Sequence, residues 1–342
     1  KMDFCALKFN KKIRALLCVT AFVLIYFKFL RLEQVRKKVA GGLKHQQFFE
    51  DDIDVSTNLE CGEICSYEVK VEKPGKYYPF LQKAVNCESI MGRMALNPET
   101  PTPPPKKIPV KMFEEFTQNG ELPSNEYSYF DGTTIGKQEN FSTDHINELI
   151  NKDKKGIIFG DYGVPEPKKA IAAYVKDIKN KRGVVIGSLS PWLEALALSA
   201  GAEHMTTLEY NNNMFLHPKI TKIHPYDMAR KYRDGSFQAF DFALSFSSIE
   251  HSGLGRYGDP LNPYGDLEAV AQVWCMLKPG GIFQLGIPET NGNNSFMEFN
   301  AHRVYGHSRL KHLTANFEVL DHFNAYQGVW VLKKHSAHIC MS

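Results

Sequence analysis

The chain has 342 residues, of which 43% are hydrophobic, a content typical of a globular protein with a sizeable core. Its net charge is +3, but residues 1–38 carry ten Lys and Arg against Asp3 and Glu33, which leaves 31 basic against 36 acidic side chains in the rest. A mildly acidic body is a poor surface for phosphate backbones, so nucleic acid is disfavoured as a partner.

The basic N-terminal segment contains an apolar run. Residues 15–27 carry no charge, and residues 13–30 are apolar apart from Arg14 and Lys28. About 20 mostly apolar residues span a bilayer, and long cations at the ends can reach the headgroups. We expect a short basic tail over 1–12 and a transmembrane signal anchor over 13–30, with a cleaved signal peptide or a buried core helix as alternatives.

Cationic residues flank both ends of this run, so the positive-inside rule does not decide its orientation. Two glycosylation sequons begin at Asn140 and Asn293 and are compatible with a lumenal body. We expect a single-pass membrane protein of the endoplasmic reticulum or Golgi with its C-terminal domain in the lumen.

Seven cysteines give little support to a metal site. Cys61 and Cys65 have no second such pair and no paired histidines at zinc-finger spacing, so one or two stem disulfides or free thiols are favoured. Cys275 lies in a helical pattern and is expected in the core. No metal is assigned.

Residues 31–109 show little periodicity, apart from a pattern between Tyr77 and Met94 that allows one helix, and are interpreted as a stem that ends in a proline-rich linker over 97–109. This linker is either an extended polyproline II spacer that projects the domain or a connector packed on its surface. The remaining residues, 110–342, form the predicted catalytic domain.

Beyond residue 142 helical and strand patterns alternate, which favours a mostly parallel sheet with helices on both faces. Ser190 and Pro191 are expected as the N-cap and first position of the helix after strand 1. The predicted strands are Gly183–Gly187, Met205–Glu209, Ile220–Ile223, Phe240–Phe246 and Gly281–Ile287, followed by a hairpin of Phe317–Phe323 and Val329–Lys333.

Over residues 165–334 this order resembles the class I S-adenosylmethionine-dependent methyltransferases, most closely at Leu277-Lys-Pro-Gly-Gly281. The resemblance implies an α/β fold with a Rossmann-like doubly wound sheet, a C-terminal antiparallel hairpin and S-adenosylmethionine as cofactor. More specifically, residues 247–260 and 299–306 resemble an uncharacterised family known as domain of unknown function 268. That family has no established reaction.

The turn after strand 1 carries the predicted cofactor site. Gly187 lacks a Cβ and lets the cofactor approach the backbone beside Ser188, and Glu209 at the tip of strand 2 can accept hydrogen bonds from both ribose hydroxyls. The alternative for Glu209 is a solvated strand-end acid. The usual acidic residue and Gly-x-Gly-x-Gly pattern of methyltransferases are absent from this turn.

Two further residues are assigned to the cofactor. Asp227, after strand 3, lies where an acid that contacts adenine is expected, and is otherwise an ordinary turn or helix-cap residue. Ser245 lies near the end of strand 4.

The residues after strand 4 are candidates for chemistry. His251, with Glu250, is the candidate base, because an imidazole of pKa near 6.5 can receive a proton at neutral pH; the alternative is a loop histidine bonded to backbone. The glycine-rich loop that follows predicts acceptor binding, or else a loop in which its arginine and aspartate pair with each other. The predicted acceptor-binding residues are Arg256, Tyr257, Asp259 and, further along, Arg303.

Together these patterns predict an S-adenosylmethionine-dependent O-methyltransferase that acts on a glycan or similar polyhydroxylated acceptor. The alternative is a methyltransferase-like binding or scaffolding protein that has lost its cofactor. A nicotinamide-dependent oxidoreductase is less favoured, because the full Gly-x-Gly-x-x-Gly pattern is missing.

Overall fold

A computed structural model of the chain describes residues 85–95, 103–125, 129–130, 138–325 and 327–334. The predicted tail and signal anchor, and the stem before residue 85, lie outside these residues. Within the described ranges no helix is long and apolar enough to cross a membrane.

Strands and helices alternate along most of the described chain. The strands are β1 (Ser124–Asn125), β2 (Asn140–Phe141), β3 (Arg182–Ile186), β4 (His204–Leu208), β5 (Met214–Phe215), β6 (Ile220–Ile223), β7 (Phe240–Phe246), β8 (Leu277–Pro288), β9 (Phe296–Glu298), β10 (His302–Val304), β11 (Glu318–Phe323) and β12 (Gln327–Lys333). The helices are α1 (Cys87–Ala95), α2 (Phe113–Thr117), α3 (Thr143–Lys154), α4 (Glu166–Ala173), α5 (Trp192–Ser199), α6 (Pro225–Arg233), α7 (Gly265–Met276) and α8 (His307–Thr314).

Seven of these strands form one sheet in the order β11-β12-β8-β7-β3-β4-β6. The five from β6 to β8 are parallel, whereas β12 is antiparallel to both β8 and β11. This is a mixed α/β fold similar to that of the class I methyltransferases, with the antiparallel C-terminal hairpin that the sequence predicted. Two small sheets, β1-β9-β10 and β2-β5, lie outside it.

Helices cover both faces of the sheet because alternate strand residues point to opposite sides. Val184, Ala243 and Trp330 pack in one core with residues of α1, α6, α7 and α8. Val185 and Leu244 pack in the other with residues of α3, α4 and α5. The strands are therefore buried on both faces, as parallel strands usually are.

Two predicted boundaries are corrected at turns. Gly187 does not belong to strand 1, because its φ of 67° is left-handed and ends the extended conformation at Ile186. Pro191, without a side-chain cap bond, occupies the N-cap position of α5, so Ser190 is not the cap. The predicted strand Gly281–Ile287 lies within the longer β8, which begins at Leu277.

Part of the predicted stem packs on the domain that follows it. Helix α1 lies within the predicted stem, yet it packs against α6 and α7, and Met91 is fully buried. A disulfide joins Cys87 to Cys275, so the predicted core cysteine is buried but not free. In the described part of the linker Pro104 is buried and its carbonyl accepts a hydrogen bond from Tyr129 Oη, as in a connector packed on the domain surface.

Candidate functional site

A cavity of about 760 Å³ opens at the carboxyl ends of the parallel strands. It lies at the ends of β3 and β7, which are neighbours in the sheet although β4 and β6 come between them in the chain. The strand-end residues Ile186, Leu208 and Phe246 line it. Ligands of open α/β sheets bind at this kind of topological switch point. The volume is typical of a site for a cofactor or drug-sized ligand.

The predicted cofactor residues at the first two strand ends lie together in this cavity. Ser188 N donates a hydrogen bond of 2.8 Å to Oε2 of Glu209, and Asn211 N donates one of 2.8 Å to Oε1. Glu209 is buried rather than solvated, and this burial raises its pKa against the lowering effect of those two backbone bonds. Oε1 also accepts from Asn211 Nδ2 at 3.3 Å, so Oε2 is the oxygen that retains a lone pair for a further donor, since an ionised carboxylate offers about four acceptor sites.

Gly187 is required by a close approach from another loop. A Cβ built at Gly187 would collide with the hydroxyl of Ser248, and the φ of 67° adds backbone strain for any other residue. Ser248 thus covers one side of the bend. Leu189, next in the turn, is half exposed and also lines the cavity.

A second acid at this turn was not predicted from the sequence. Glu194, in the first turn of α5, is fully buried; its Oε1 accepts from Thr207 Oγ1 at 2.6 Å and its Oε2 from Ser188 Oγ at 3.2 Å. Burial raises its pKa to about 7, although these hydrogen bonds oppose the shift. The only signal in the sequence was an acidic residue within a hydrophobic helix.

Two predicted cofactor residues do not line the cavity. Asp227 lies in the first turn of α6 on the exposed surface, where its Oδ1 accepts from Arg230 Nη1 at 2.6 Å. Ser245 is buried in β7 and donates to the carbonyl of Ile186 at 3.3 Å. The assignment of both residues to the cofactor is therefore corrected: Asp227 is an exposed helix residue, and Ser245 is a buried residue of the sheet.

His251 lines the cavity in a defined tautomer. Its Nδ1 lies 2.6 Å from the carbonyl oxygen of Ala301, which can only accept, so Nδ1 carries the hydrogen and Nε2 keeps a lone pair. Burial, followed by the charge of Arg256, lowers the pKa of His251 to about 3. The predicted pKa near 6.5 is thus corrected downward.

Glu250 precedes His251 in the chain, and its Oε1 lies 3.7 Å from Nε2 of His251. The side chain is 1% exposed, and burial raises its pKa to about 7, against hydrogen bonds from its own backbone and from Ser247. The two predicted catalytic residues are therefore adjacent. Burial places the pKa of Glu250 above that of His251, which is the reverse of the usual order for these two residue types.

Arg256 and Tyr257 also line the cavity. The guanidinium carbon of Arg256 lies 3.7 Å from the ring centroid of Phe130 and 5.0 Å from that of Tyr257, and Nη1 donates to the carbonyl of Ala301 at 3.3 Å. Sequence reasoning missed Phe130, because it lies more than 100 residues from the loop and in no recognisable motif.

Asp259 and Arg303 have structural roles that the sequence did not reveal. Asp259 accepts from the backbone N–H groups of Gly253, Gly255 and Tyr257, so it closes the glycine-rich loop and does not pair with Arg256. Arg303 is fully buried outside the cavity, where its Nη1 donates to the carbonyl of Ser252 at 2.6 Å. The prediction that Arg303 binds an acceptor is corrected.

Tyr162 stands at the mouth of the cavity and was not predicted. It is 71% exposed, and its Oη lies 3.3 Å from Oγ of Ser247, which lies beyond the end of β7. Both residues have left-handed backbones, with φ of 62° and 51°. Such conformations are costly for these residue types and cluster at functional sites.

Among the described residues there is no group of three or more His, Cys, Asp or Glu side chains placed to hold a metal ion. What the site offers instead is a carboxylate beside a bare backbone bend, a neutral imidazole, and aromatic and amide side chains. Such groups suit a nucleoside and a hydroxyl-bearing ligand.

The strand order and the position of the cavity define a class I methyltransferase-like fold. Within it, residues 180–335 match the model of a family described as "Caenorhabditis protein of unknown function, DUF268", which confirms the family resemblance seen in the sequence. A comparison with curated proteins finds no match.

Two solved structures are among those similar to this chain. One is a 1,6-didemethyltoxoflavin-N1-methyltransferase from Burkholderia thailandensis with bound S-adenosylhomocysteine, at 14% identity and a TM-score of 0.36, over 62% of this chain and 100% of that one. The other is an O-methyltransferase family protein from Burkholderia thailandensis, at 9% identity and a TM-score of 0.36, over 58% of this chain and 64% of that one. These values are too low to transfer a substrate or a residue role.

Proposed function

We propose that this chain is an S-adenosylmethionine-dependent O-methyltransferase that acts on a glycan or another polyhydroxylated acceptor. The observation that carries the proposal is the pairing of Glu209 with Ser188 N at 2.8 Å, beside the bend at Gly187 and within the cavity at the switch point of the sheet. The pairing holds a carboxylate within hydrogen-bonding reach of the place where the ribose of a bound nucleoside cofactor would lie.

The residues present fit an adenosyl group. Glu209 is held by two backbone N–H groups and by the amide of Asn211, so the lone pair that its Oε2 keeps has a fixed direction for a ribose hydroxyl. Tyr210 and Tyr226 line the cavity on the same side and offer apolar faces to a base. When bound, S-adenosylmethionine supplies an electrophilic methyl group and leaves as S-adenosylhomocysteine, while the acceptor hydroxyl loses its proton.

The acceptor's proton is assigned to His251. Its Nε2 has a free lone pair that can take this proton. The carboxyl group of Glu250, 3.7 Å from Nε2, stabilises the resulting imidazolium when that carboxyl group is ionised. A histidine whose pKa is lowered to about 3 is a weak base by itself, so this neighbour is needed. Tyr257 and Tyr162 at the cavity provide aromatic faces for a sugar ring.

A non-catalytic binding or scaffolding protein is the second candidate. Ser248 covers one side of the bend at Gly187, and bulkier residues replace the later glycines of the methyltransferase pattern. Both features narrow the approach to the backbone on which the methionine part of a cofactor would rest.

Equilibrium binding to the full chain, measured by calorimetry, separates the two candidates. Saturable binding of S-adenosylhomocysteine at low micromolar concentration is expected for the enzyme. Absence of binding at millimolar ligand would contradict it and favour the scaffold. The His251→Ala variant is expected to keep this affinity while it loses methyl transfer, and full activity in that variant would remove His251 from the mechanism.

We further propose that the chain is anchored by residues 13–30, with its body in the lumen of the endoplasmic reticulum or Golgi. Two findings support an oxidising, glycosylating compartment: the disulfide Cys87–Cys275 and the exposure of Asn140. Glycosidase treatment of the expressed chain is expected to increase its gel mobility, and Asn140→Gln should remove part of that change, because Asn293 of the second sequon is exposed as well. Unchanged mobility of the untreated and treated wild type would count against a lumenal body.

A further inference from the structure

Arg256 is the only Lys or Arg among the described residues that line the cavity. It lies in the loop that follows the candidate base, and its Nη1 is 3.5 Å from Nδ1 of His251. A single fixed positive charge at this place favours ligands that carry a negative charge beside the imidazole.

The guanidinium is held in one plane. Phe130 stacks on one side at 3.7 Å, and Tyr257 contacts it at 5.0 Å. Phe130 is itself fixed, because its backbone N–H donates a hydrogen bond of 2.6 Å to Oδ1 of Asn300, a fully buried residue. Stacking of this kind orients the donor fork of an arginine for a planar anion.

The charge has no counter-ion within the described part of the chain. No carboxylate there lies within 4.0 Å of Arg256 in an ion pair, and the buried Nε has no hydrogen-bond partner. Burial raises the pKa of Glu250 to about 7 although the charge of Arg256 opposes this shift, and the cavity carboxylates of Glu209 and Asp259 are engaged by backbone N–H groups. Since a partly buried guanidinium without an ion-pair partner is costly, the ligand is the natural source of the missing negative charge.

We propose that the acceptor carries a carboxylate and that Arg256 binds it, so that the substrate is a polyhydroxylated acid such as a uronic acid unit. This inference rests on the proposed function, because it specifies the acceptor of that reaction. The planar fork binds the carboxylate, and the neighbouring imidazole receives the proton of a hydroxyl on the same molecule.

Binding of a carboxylate also changes the candidate base. After burial, the charge of Arg256 is the largest cause that lowers the pKa of His251. An anion on Arg256 offsets this repulsion and makes the imidazole a better proton acceptor. Acids are therefore expected to be better substrates than neutral sugars as well as better ligands.

The test compares two probes of one shape, D-glucuronate and D-glucose, titrated into the full chain without cofactor. We expect glucuronate to bind at least tenfold more tightly and the preference to shrink with added salt. Arg256→Gln should abolish the preference, and Arg256→Lys should retain part of it, because the charge remains while the fork is lost. Arg230→Gln, which removes a guanidinium outside the cavity, is the matched control and should leave it unchanged.

Equal binding of the two probes, or a preference that survives in Arg256→Gln, would overturn the inference. A cofactor carboxylate is the other source of the same chemistry. If Arg256→Gln weakens binding of S-adenosylhomocysteine but not of adenosine, Arg256 serves the methionine carboxylate and the inference fails. Failure of the wild type to bind S-adenosylhomocysteine would contradict only the proposed function, since the sugar titration contains no cofactor.

Discussion

Ser188 N donates a hydrogen bond of 2.8 Å to Oε2 of Glu209, and this bond joins the turn after β3 to the tip of β4. The two residues are 21 positions apart in the chain, yet parallel pairing of β3 with β4 brings their strand ends side by side. A buried carboxylate whose position is set by backbone donors is already in place for a ligand before it binds.

Replacement of Glu209 tests this arrangement. Glu209→Gln is expected to weaken binding of S-adenosylhomocysteine at least about tenfold, because charge-assisted bonds to ribose hydroxyls are lost. Calorimetric titration measures the change. Asp227→Asn is the control, because the Asp227 side chain is exposed and paired with Arg230 outside the cavity. A change in affinity of more than about twofold in that variant would show that Asp227 contributes to cofactor binding.

The carboxyl group of Glu250 is expected to make stability fall with rising pH. Its folded pKa of about 7 lies above the unfolded value, so the folded state holds an extra proton between about pH 4 and 7. Relative to Glu250→Gln, the wild type should lose on the order of 1 kcal/mol of unfolding free energy per pH unit across this window, and nothing further above it. Urea denaturation of both proteins from pH 4.5 to 8.5 gives the difference; a flat difference would show that Glu250 is ionised throughout.

The backbone conformation of Tyr162 is expected to lower the free energy of unfolding, whereas its side chain is expected to contribute to ligand binding. Its left-handed backbone costs about 1 kcal/mol, and its mostly exposed ring recovers little of this by burial. Tyr162→Gly should therefore leave the free energy of unfolding unchanged or raise it by up to about 1 kcal/mol, while ligand affinity falls. Asn180→Gly relieves a similar φ of 58° outside the cavity and should change stability without changing affinity. A large loss of stability in Tyr162→Gly would indicate packing that the structure does not show.

The Cys87–Cys275 disulfide is expected to stabilise the wall of the cavity. It ties α1, whose Met94 lines the cavity, to α7 across 188 residues. Its loss should lower the free energy of unfolding by about 2–5 kcal/mol and weaken ligand binding. Thermal denaturation with and without reductant measures this. The Cys87→Ala/Cys275→Ala variant is the control, because reductant should have no further effect on it unless another disulfide contributes.

Asp266 is expected to be essential for stability but not for binding. It is fully buried, and its carboxylate accepts from Arg309 at 2.6 and 2.8 Å and lies 3.7 Å from Nε of Arg303. Asp266→Asn removes the negative charge that two buried guanidiniums contact and should cost about 3–5 kcal/mol. Urea denaturation at pH 7 checks this value, and a loss below about 1 kcal/mol would show that the pair is compensated elsewhere.

The same residue predicts a response to acid. Burial alone would raise the pKa of Asp266, but the charges of Arg303 and Arg309 outweigh it and hold the pKa below its usual value. The stabilisation is therefore complete above the unfolded pKa of about 4 and is lost as the pH falls through the folded pKa. The gap in unfolding free energy between wild type and Asp266→Asn should narrow only below about pH 4, and a gap that closes near pH 6 would contradict the assignment.

Much of the fold could be predicted because local patterns determine it. The strand Phe240–Phe246 and the strand Ile220–Ile223 were predicted with the bounds that the structure shows, since both are short β-rich runs bounded by polar or turn residues. The proximity of Glu209 to the Gly187 turn followed from parallel pairing alone. Helix α1 overlaps the helical pattern seen between Tyr77 and Met94, but its bounds and its place in the core depend on contacts with α6 and α7, far along the chain.

The candidate site was predicted less completely. His251 and Arg256 were identified by position after strand 4, but their electrostatics depend on Ala301 and Phe130, which come from distant segments. Asp259 and Arg303 have the residue types of ligand-binding groups, and only their backbone partners show that they support loops. Charge and hydrogen-bonding capacity belong to the residue type, whereas the partner that uses them is set by folding.

By itself, then, the amino-acid order determined which segments form the strands of the seven-stranded sheet, in what direction they run, and which strand ends carry a glycine turn and an acid. Periodicity and turn chemistry are local, so they can be recognised in the chain without its partners. Only the tertiary structure decided that Asp227 faces solvent, that Arg256 lacks a counter-ion among the described residues, and that Glu250 and His251 have displaced pKa values. Burial and the distance between charges set these properties, and neither exists until residues distant in the chain have packed together.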